Sequence, residues 1–379
     1  MAMNAFRLGG RRAFELSRSS GARSTRSLRR GYASRIDIPF APPPVPTIER
    51  CPAPTCQCRE TPPGLDIERE QGINGSMASY AEQVLISTGK EDWTSRIEDE
   101  EDGAFLRQLK GFLGRNGKYS NPYHNVMLTN SSFPPTPNAP HQTDRSTQAH
   151  ASSIPTGGPG KDPSIVPQSA PPGPPASAFL LPSFHYVPNI PTESTAVEAF
   201  LKGFVLPSRL HQSHDRLTRE QKNILLRSPE IQRQFPGARK VDEILILICG
   251  HGGRDERCGK LGPVLRDEFE EKLQRQNVPL LKDTPVVEAE EVKTEVEGYT
   301  PTARVGLISH IGGHKWAGNV IVYIPPSFGD NALAGKGIWY GRVGPEHVEG
   351  IVAKTVLEGK VIKELFRGGV GQEGEILRF

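Results

Sequence analysis

The stretch VDEILILICGHGGRDERCGKLGPVLRDEF, residues 241–269, decides the fold. Val241–Ile248 is a nearly continuous apolar run, which predicts a strand buried on both faces of a sheet. The strand ends in a glycine-bearing loop at Cys249, and Gly262-Pro263 predicts the first turn of a helix. The stretch is therefore a strand, a loop and a helix, as in an α/β protein.

Residues 237–379 continue this pattern and are predicted to form a C-terminal domain. Further strands are predicted at Arg304–His310, Asn319–Ile324 and Gly337–Val343, followed by a helix at Pro345–Leu357. The resulting order β-α-β-β-β-α is typical of a thioredoxin-like layer.

Residues 45–208 are predicted to form a second domain of the same α/β class. The segments suited to strands are Gln83–Ser87, Asn125–Thr129 and Ala178–Phe184, and those suited to helices are Asp92–Leu113 and Thr195–Phe204. Residues 132–177 are so rich in Pro, Ser and Gly that a disordered insertion is predicted there, and the charged residues 209–236 predict a helical linker. The predicted fold is α/β, with two thioredoxin-like (ferredoxin) domains and a disordered Pro/Ser-rich insertion.

Residues 1–35 hold nine arginines, many serines and a single acidic residue, Glu15, the composition of a mitochondrial transit peptide. The formal charge of the whole chain is +3, so the remainder is mildly acidic and has no lysine-rich face. Nucleic-acid binding needs clustered cations, so we do not expect this protein to bind nucleic acid. No apolar run is long enough to span a bilayer, so no membrane span is expected either.

Four residues form the candidate metal site: Cys249 and Cys258, spaced C-x8-C, and His310 and His314, spaced H-x3-H. Gly312 and Gly313 permit a tight turn that aims both imidazoles at one point. Two thiolates and two imidazoles suit tetrahedral zinc, and they equally suit a 2Fe-2S cluster with the cysteines on one iron and the histidines on the other. Residue chemistry alone leaves both possibilities open.

Three further cysteines, Cys51, Cys56 and Cys58, lie in CPAPTCQC. A second metal, a disulfide, redox-active thiols and a purely structural role all fit them, and they lack an obvious fourth ligand. His251 is a rival ligand or a surface residue, and we leave it outside the ligand set. The sequence lacks the usual hydrolase, P-loop and dinucleotide-binding motifs, so we do not expect a substrate-converting enzyme.

The segments CGHGGRDERCG, SHIGGHKWAGN and GIWYGRV resemble the motifs of the sucrase/ferredoxin-like family. The resemblance extends more weakly to CPAPTCQC, LISTGKEDW, TNSS and LPSF in the N-terminal part of the chain. It implies a thioredoxin-like ferredoxin domain whose 2Fe-2S cluster has two cysteine and two histidine ligands, carried over to Cys249, Cys258, His310 and His314. All four motif positions are present.

These observations predict a mitochondrial iron–sulfur protein of the matrix or intermembrane space. It would act in electron transfer or in redox and thiol quality control, together with a redox partner protein. The alternatives are a zinc-binding structural interaction module and a thiol-disulfide oxidoreductase.

Overall fold

The computed structural model describes residues 43–137, 173–285 and 299–379. The predicted transit peptide, residues 1–35, lies outside the described residues, as does most of the predicted insertion. Both stay predictions.

The chain forms short strands, which in the described ranges are β1 (Thr47–Ile48), β2 (Glu82–Ser87), β3 (Val126–Ser131), β4 (Ala176–Leu181), β5 (His185–Ile190), β6 (Arg239–Lys240), β7 (Ile244–Cys249), β8 (Ala303–Ile308), β9 (Val320–Ile324), β10 (Lys336–Tyr340), β11 (Val361–Ile362), β12 (Phe366–Gly371) and β13 (Ile376–Leu377). The α-helices of the same ranges are α1 (Ala104–Leu113), α2 (Ser194–Phe200), α3 (Arg219–Leu225), α4 (Glu256–Arg275) and α5 (Pro345–Ile351). The α/β class is confirmed.

Eleven of these strands make one mixed sheet in the order β13-β12-β10-β9-β7-β8-β3-β2-β4-β5-β6. The two remaining strands, β1 and β11, pair in parallel beside it. We call residues 43–72 the strap, residues 82–240 the N-terminal half and residues 241–379 the C-terminal half. The strap carries β1 and thereby joins the C-terminal half.

The two halves repeat one topology. In the N-terminal half, β2 is parallel to β3 and antiparallel to β4, and β4 is antiparallel to β5. In the C-terminal half, β7 is parallel to β8 and antiparallel to β9, and β9 is antiparallel to β10. The predicted order β-α-β-β-β-α of the C-terminal half is confirmed.

The halves meet edge to edge through β3 and β8, where Ser131 pairs with Ile308. Two serine side chains extend this short join: Ser132 Oγ accepts a hydrogen bond from the backbone N–H of Leu307 at 2.9 Å, and Ser309 Oγ accepts one from that of Asn130 at 3.0 Å. The halves therefore share one sheet. The predicted boundaries 45–208, 209–236 and 237–379 stay predictions.

The core follows from the alternation of the strands. Val84 and Ile86 of β2 face a cluster that includes α1 and α2, whereas Leu85 faces a larger cluster built mainly from the C-terminal half. Every residue of β7 is buried, as the predicted two-sided strand requires.

Helix α4 begins earlier than predicted, at Glu256 rather than at Gly262-Pro263. Asp255 caps it, because its side chain accepts a hydrogen bond from the backbone N–H of Arg257 at 3.1 Å. Pro263 therefore lies inside the helix. As a consequence, Cys258 lies in the first turn of α4 and not in the preceding loop.

Other predicted bounds also shift. Helix α1 starts at Ala104 rather than Asp92, and the predicted helices at Thr195–Phe204 and Pro345–Leu357 are α2 and α5, each continued by a π-helical turn. The ends of the predicted insertion are ordered, since Phe133 is buried and β4 starts at Ala176. Residues 209–236 contain α3 and two short 3-10 helices, which agrees with a helical segment.

Candidate metal centre

Cys249 and His310 come together because their strands are neighbours. β7 and β8 run in parallel, and Cys249 pairs in register with Ile308. His310 follows two residues beyond β8, at the same end of the sheet. The apolar strands therefore fix the starting points of both ligand-bearing loops.

Cys258 reaches the same place from the first turn of α4. Both cysteines are buried, each with 1% exposure. A hydrogen bond from the Cys258 thiol lowers the pKa of Cys249 well below its ordinary value, against the effect of burial, and His310 adds to this lowering. The hydrogen bond and burial raise the pKa of Cys258 in turn. Within the pair, Cys249 therefore ionises in preference to Cys258.

The two histidines sit on a turn that depends on glycine. Gly312 and Gly313 have φ angles of 87° and 78°, the left-handed region that other residues rarely adopt. The rings of His310 and His314 lie with their centroids 5.4 Å apart and are half-buried. His314 Nδ1 is buried and has no hydrogen-bond partner in the described structure. A buried nitrogen without a partner is uncommon and suits a ligand atom.

The four predicted residues are arranged as a cysteine pair beside a histidine pair. Within residues 43–137, 173–285 and 299–379, no group of three or more His, Cys, Asp or Glu side chains is placed to hold a metal ion. Two soft thiols and two imidazoles, one with a free buried nitrogen, fit the two-iron alternative by donor chemistry.

His251 is a supporting residue. Its Nε2 donates to the carbonyl oxygens of Trp93 and Thr94 at 3.1 and 2.9 Å, and its Nδ1 accepts from His310 N at 3.0 Å. Both ring nitrogens are therefore used in hydrogen bonds. His251 fixes the backbone of His310, which agrees with its exclusion from the ligand set.

The loop after β2 closes one side of the site through contacts that the sequence alone does not reveal. Asp92 accepts a hydrogen bond from Gly253 N at 3.1 Å, and Ser95 Oγ accepts one from Arg254 at 3.2 Å. Asp255 pairs with Arg257 at 2.9 Å and leaves Arg254 to this contact. The only sequence signal was the weak resemblance of LISTGKEDW.

Arg367, on β12, is a second residue that the sequence did not reveal. It is 1% exposed. Its guanidinium donates to Gly312 O at 3.1 Å and to Asn319 Oδ1 at 2.6 Å. Burial lowers the pKa of Arg367 to about 10, while the charges of Cys249 and Cys258 oppose this lowering. A buried cation thus supports the histidine turn and faces the thiols.

Cys51, Cys56 and Cys58 lie on the strap and do not join the four residues. Cys56 contacts Lys272, which is about 20 Å along α4 from Cys258 at 1.5 Å per residue. All five cysteines are free thiols.

Comparison with known proteins gives a family match. A family model described as sucrase/ferredoxin-like matches residues 73–368. Altered inheritance of mitochondria protein 32 of Debaryomyces hansenii is 29% identical over 342 residues, which cover 85% of this chain and 96% of that protein. Proteins of the same name from Clavispora lusitaniae and Meyerozyma guilliermondii are 43% and 41% identical, over 33–34% of this chain and 34–36% of their own length.

No solved structure matches the chain significantly. None of the helices in the described ranges is both long and apolar enough to cross a membrane.

Proposed function

We propose that this chain, which belongs to the sucrase/ferredoxin-like family, is an iron–sulfur redox protein. Cys249 and Cys258 would bind one iron of a 2Fe-2S cluster, and His310 and His314 the other. One observation carries the proposal: the two cysteines and the two histidines meet as adjacent pairs, with the buried Nδ1 of His314 unpartnered.

When bound, such a cluster accepts and releases single electrons. The chain supplies the conditions for this chemistry. The low pKa of Cys249 favours the thiolate form, which is the ligand form. The buried guanidinium of Arg367 would offset the negative charge that reduction adds. Half-buried histidines beside fully buried cysteines would make the histidine side the contact surface for a partner.

We further propose that each half is a thioredoxin-like unit. The support is topological: each half has the spatial order second, first, third and fourth strand, with the first two strands parallel and the others antiparallel. In such a unit, one loop follows the carboxyl end of the first strand, which is β2 in the N-terminal half and β7 in the C-terminal half. In the C-terminal half this loop starts at Cys249.

The place and partner of the protein follow as proposals. The relatives are named for mitochondrial inheritance, and residues 1–35 have the composition of a transit peptide. We therefore place the protein in mitochondria, in the matrix or intermembrane space, where a redox partner protein would exchange electrons with it.

The test is anaerobic purification of the full chain, followed by visible absorption and by iron and sulfide analysis. We expect a coloured protein with about two irons per chain. His310→Ala and His314→Ala should change the spectrum, and His211→Ala, at an exposed histidine, should not. A colourless protein with one zinc would overturn the proposal in favour of a structural module.

A further inference from the structure

A second group of reactive side chains surrounds Cys56, away from the metal centre. Lys272 Nζ donates a hydrogen bond to Cys56 Sγ at 3.1 Å, and Glu349 Oε2 lies 3.2 Å from the same sulfur. The thiol belongs to the strap, the ammonium to α4, and the carboxylate to α5. The Cys56 thiol thus donates to a carboxylate and accepts from an ammonium group, and a neighbouring cation is typical of reactive cysteines.

Lys272 is held in place as a buried cation. Its side chain is 2% exposed and forms an ion pair with Glu268 at 2.9 Å. Burial opposes the charge, but the interactions with Glu268 and Cys56 outweigh it and raise the pKa of Lys272. The sulfur of Cys56 therefore accepts a hydrogen bond from an ammonium group that is itself held in place.

The strap is fixed on both sides of Cys56. Before it, Thr55 N donates to Glu349 at 3.0 Å, and the hydroxyl of Thr55 bonds to the same carboxylate. After it, the guanidinium of Arg59 donates to Glu268 and Glu271, each at 2.8 Å. The position of Cys56 is thus set before any ligand binds.

Cys56 opens into a cavity of about 210 Å³, which is lined by Thr55, Cys56, Lys272, Arg275, Gln276, Glu349 and Val352. This volume corresponds to about seven water molecules. Lys272 pairs with Glu268 at 2.9 Å and Arg275 with Glu271 at 2.7 Å, so the charges around the cavity are balanced and its size limits the ligand. Cys56 is half-buried and can be reached from solvent.

The two neighbouring thiols lack this environment. Burial and the charges of Glu364 and Glu346 raise the pKa of Cys51 to about 12. Burial, followed by the charge of Glu268, raises the pKa of Cys58. Both are held as thiols, and they serve as matched controls on the same segment.

We propose that Cys56 is a site of thiol–disulfide exchange with small-molecule disulfides, for which glutathione disulfide serves as the probe. The Cys56 thiolate attacks one sulfur of the disulfide and forms a new S–S bond with it. The old S–S bond breaks, and its electron pair leaves with the second sulfur, which takes up a proton. Cys56 is oxidised, the leaving sulfur is reduced, and no other reactant is needed. The inference is independent of the cluster.

The experiment treats the full chain with glutathione disulfide and locates the adduct by peptide mass mapping. We expect one glutathionyl group on Cys56, absent in Cys56→Ser and present in Cys51→Ser and Cys58→Ser. The Cys56 peptide should react about tenfold faster in the native protein than in urea, because only the folded chain brings Lys272 to the sulfur.

Lys272→Met should reduce the native rate to that of the unfolded chain, and Lys272→Arg should retain most of it. Modification of Cys51 or Cys58 in preference to Cys56 would overturn the proposal. Equal rates in native and denatured protein would overturn it too, and this comparison decides even if Lys272→Met does not fold.

Discussion

His251 provides the sharpest test of how the metal centre is supported. Its two ring nitrogens serve different parts of the molecule: Nδ1 anchors the backbone N–H of His310, and Nε2 bonds the carbonyl oxygens of Trp93 and Thr94. The ring is 1% exposed, so water does not replace a lost partner. A substitution that keeps only the bond to His310 preserves the anchoring of the candidate ligand. One that keeps only the bonds to Trp93 and Thr94 preserves the attachment to the N-terminal half.

The magnitude follows from the groups left without partners. His251→Leu keeps the volume of the side chain but removes its hydrogen bonds. It leaves the His310 N–H without an acceptor, and the carbonyl oxygens of Trp93 and Thr94 without their donor. Each buried unsatisfied group costs about 1–3 kcal/mol. We therefore expect His251→Leu to lower the free energy of unfolding by about 2–4 kcal/mol, and a substitution that breaks only one side to lower it by about half as much.

Asparagine and glutamine divide the two roles. In His251→Asn the amide oxygen takes the place of Nδ1, so His310 stays anchored. In His251→Gln the amide nitrogen takes the place of Nε2, so Trp93 and Thr94 keep their donor. Urea unfolding should show similar losses for both variants, whereas the visible spectrum of the purified protein should change in His251→Gln and not in His251→Asn. His211→Ala, at an exposed histidine outside the site, should leave the visible spectrum unchanged.

Two results would refute this reasoning. If His251→Leu unfolds at the wild-type urea concentration, the ring does not hold the loop. If His251→Asn alters the spectrum as much as His251→Gln, the imidazole acts on the site by another route than the His310 N–H.

Three other predictions concern charge and close packing. Burial raises the pKa of Glu82 from 4.5 to about 7, so the stability that this carboxyl contributes is fully present below pH 4.5 and is lost as pH rises through 7. The free energy of unfolding should therefore fall by about 3 kcal/mol up to pH 8. If urea unfolding gives the same pH slope for Glu82→Gln as for the wild type, this prediction is contradicted. Arg367→Met removes the buried cation and should lower the midpoint potential of the bound cluster by roughly 60 mV in a redox titration, with Arg367→Lys closer to wild type; an unchanged potential in Arg367→Met would exclude this role. A Cβ at Gly253 would lie 2.1 Å from Trp93 O, so Gly253→Ala should lower stability by about 1–3 kcal/mol in urea unfolding, whereas Gly329→Ala, with open space around it, should not.

The sequence predicts much of the C-terminal half because its strands are apolar runs with clear ends. Ile244–Cys249 is buried throughout, so the prediction of a two-sided strand needs no tertiary information. The ligand pairs follow two parallel neighbouring strands, which explains why motif spacing could anticipate that Cys249 and His310 meet. The predicted start of helix α4 was wrong because Asp255 is a less conspicuous start signal than Gly262-Pro263.

The remaining features depend on contacts between distant segments. β12 reads FRGGVG, and its three glycines hide the strand pattern that its pairing with β10 reveals. Arg367 lies in this strand, so its approach to Gly312 could not be anticipated. The partners of Cys56 were equally hidden, since Lys272 and Glu349 are separated from it by more than 200 residues. Local patterns carry no information about such pairings.

The repeated topology gives these contacts a common origin. β2 and β7 hold the same place in their halves, so the loops that follow them are equivalent. β3 and β8 pair antiparallel only at their last residues, Ser131 and Ile308, so the carboxyl ends of β2 and β7 converge and their loops meet. The loop after β7 carries Cys249, and the loop after β2 carries Asp92, which receives Gly253 N. One half thus presents the candidate ligands, while the equivalent loop of the other half shapes the backbone around them.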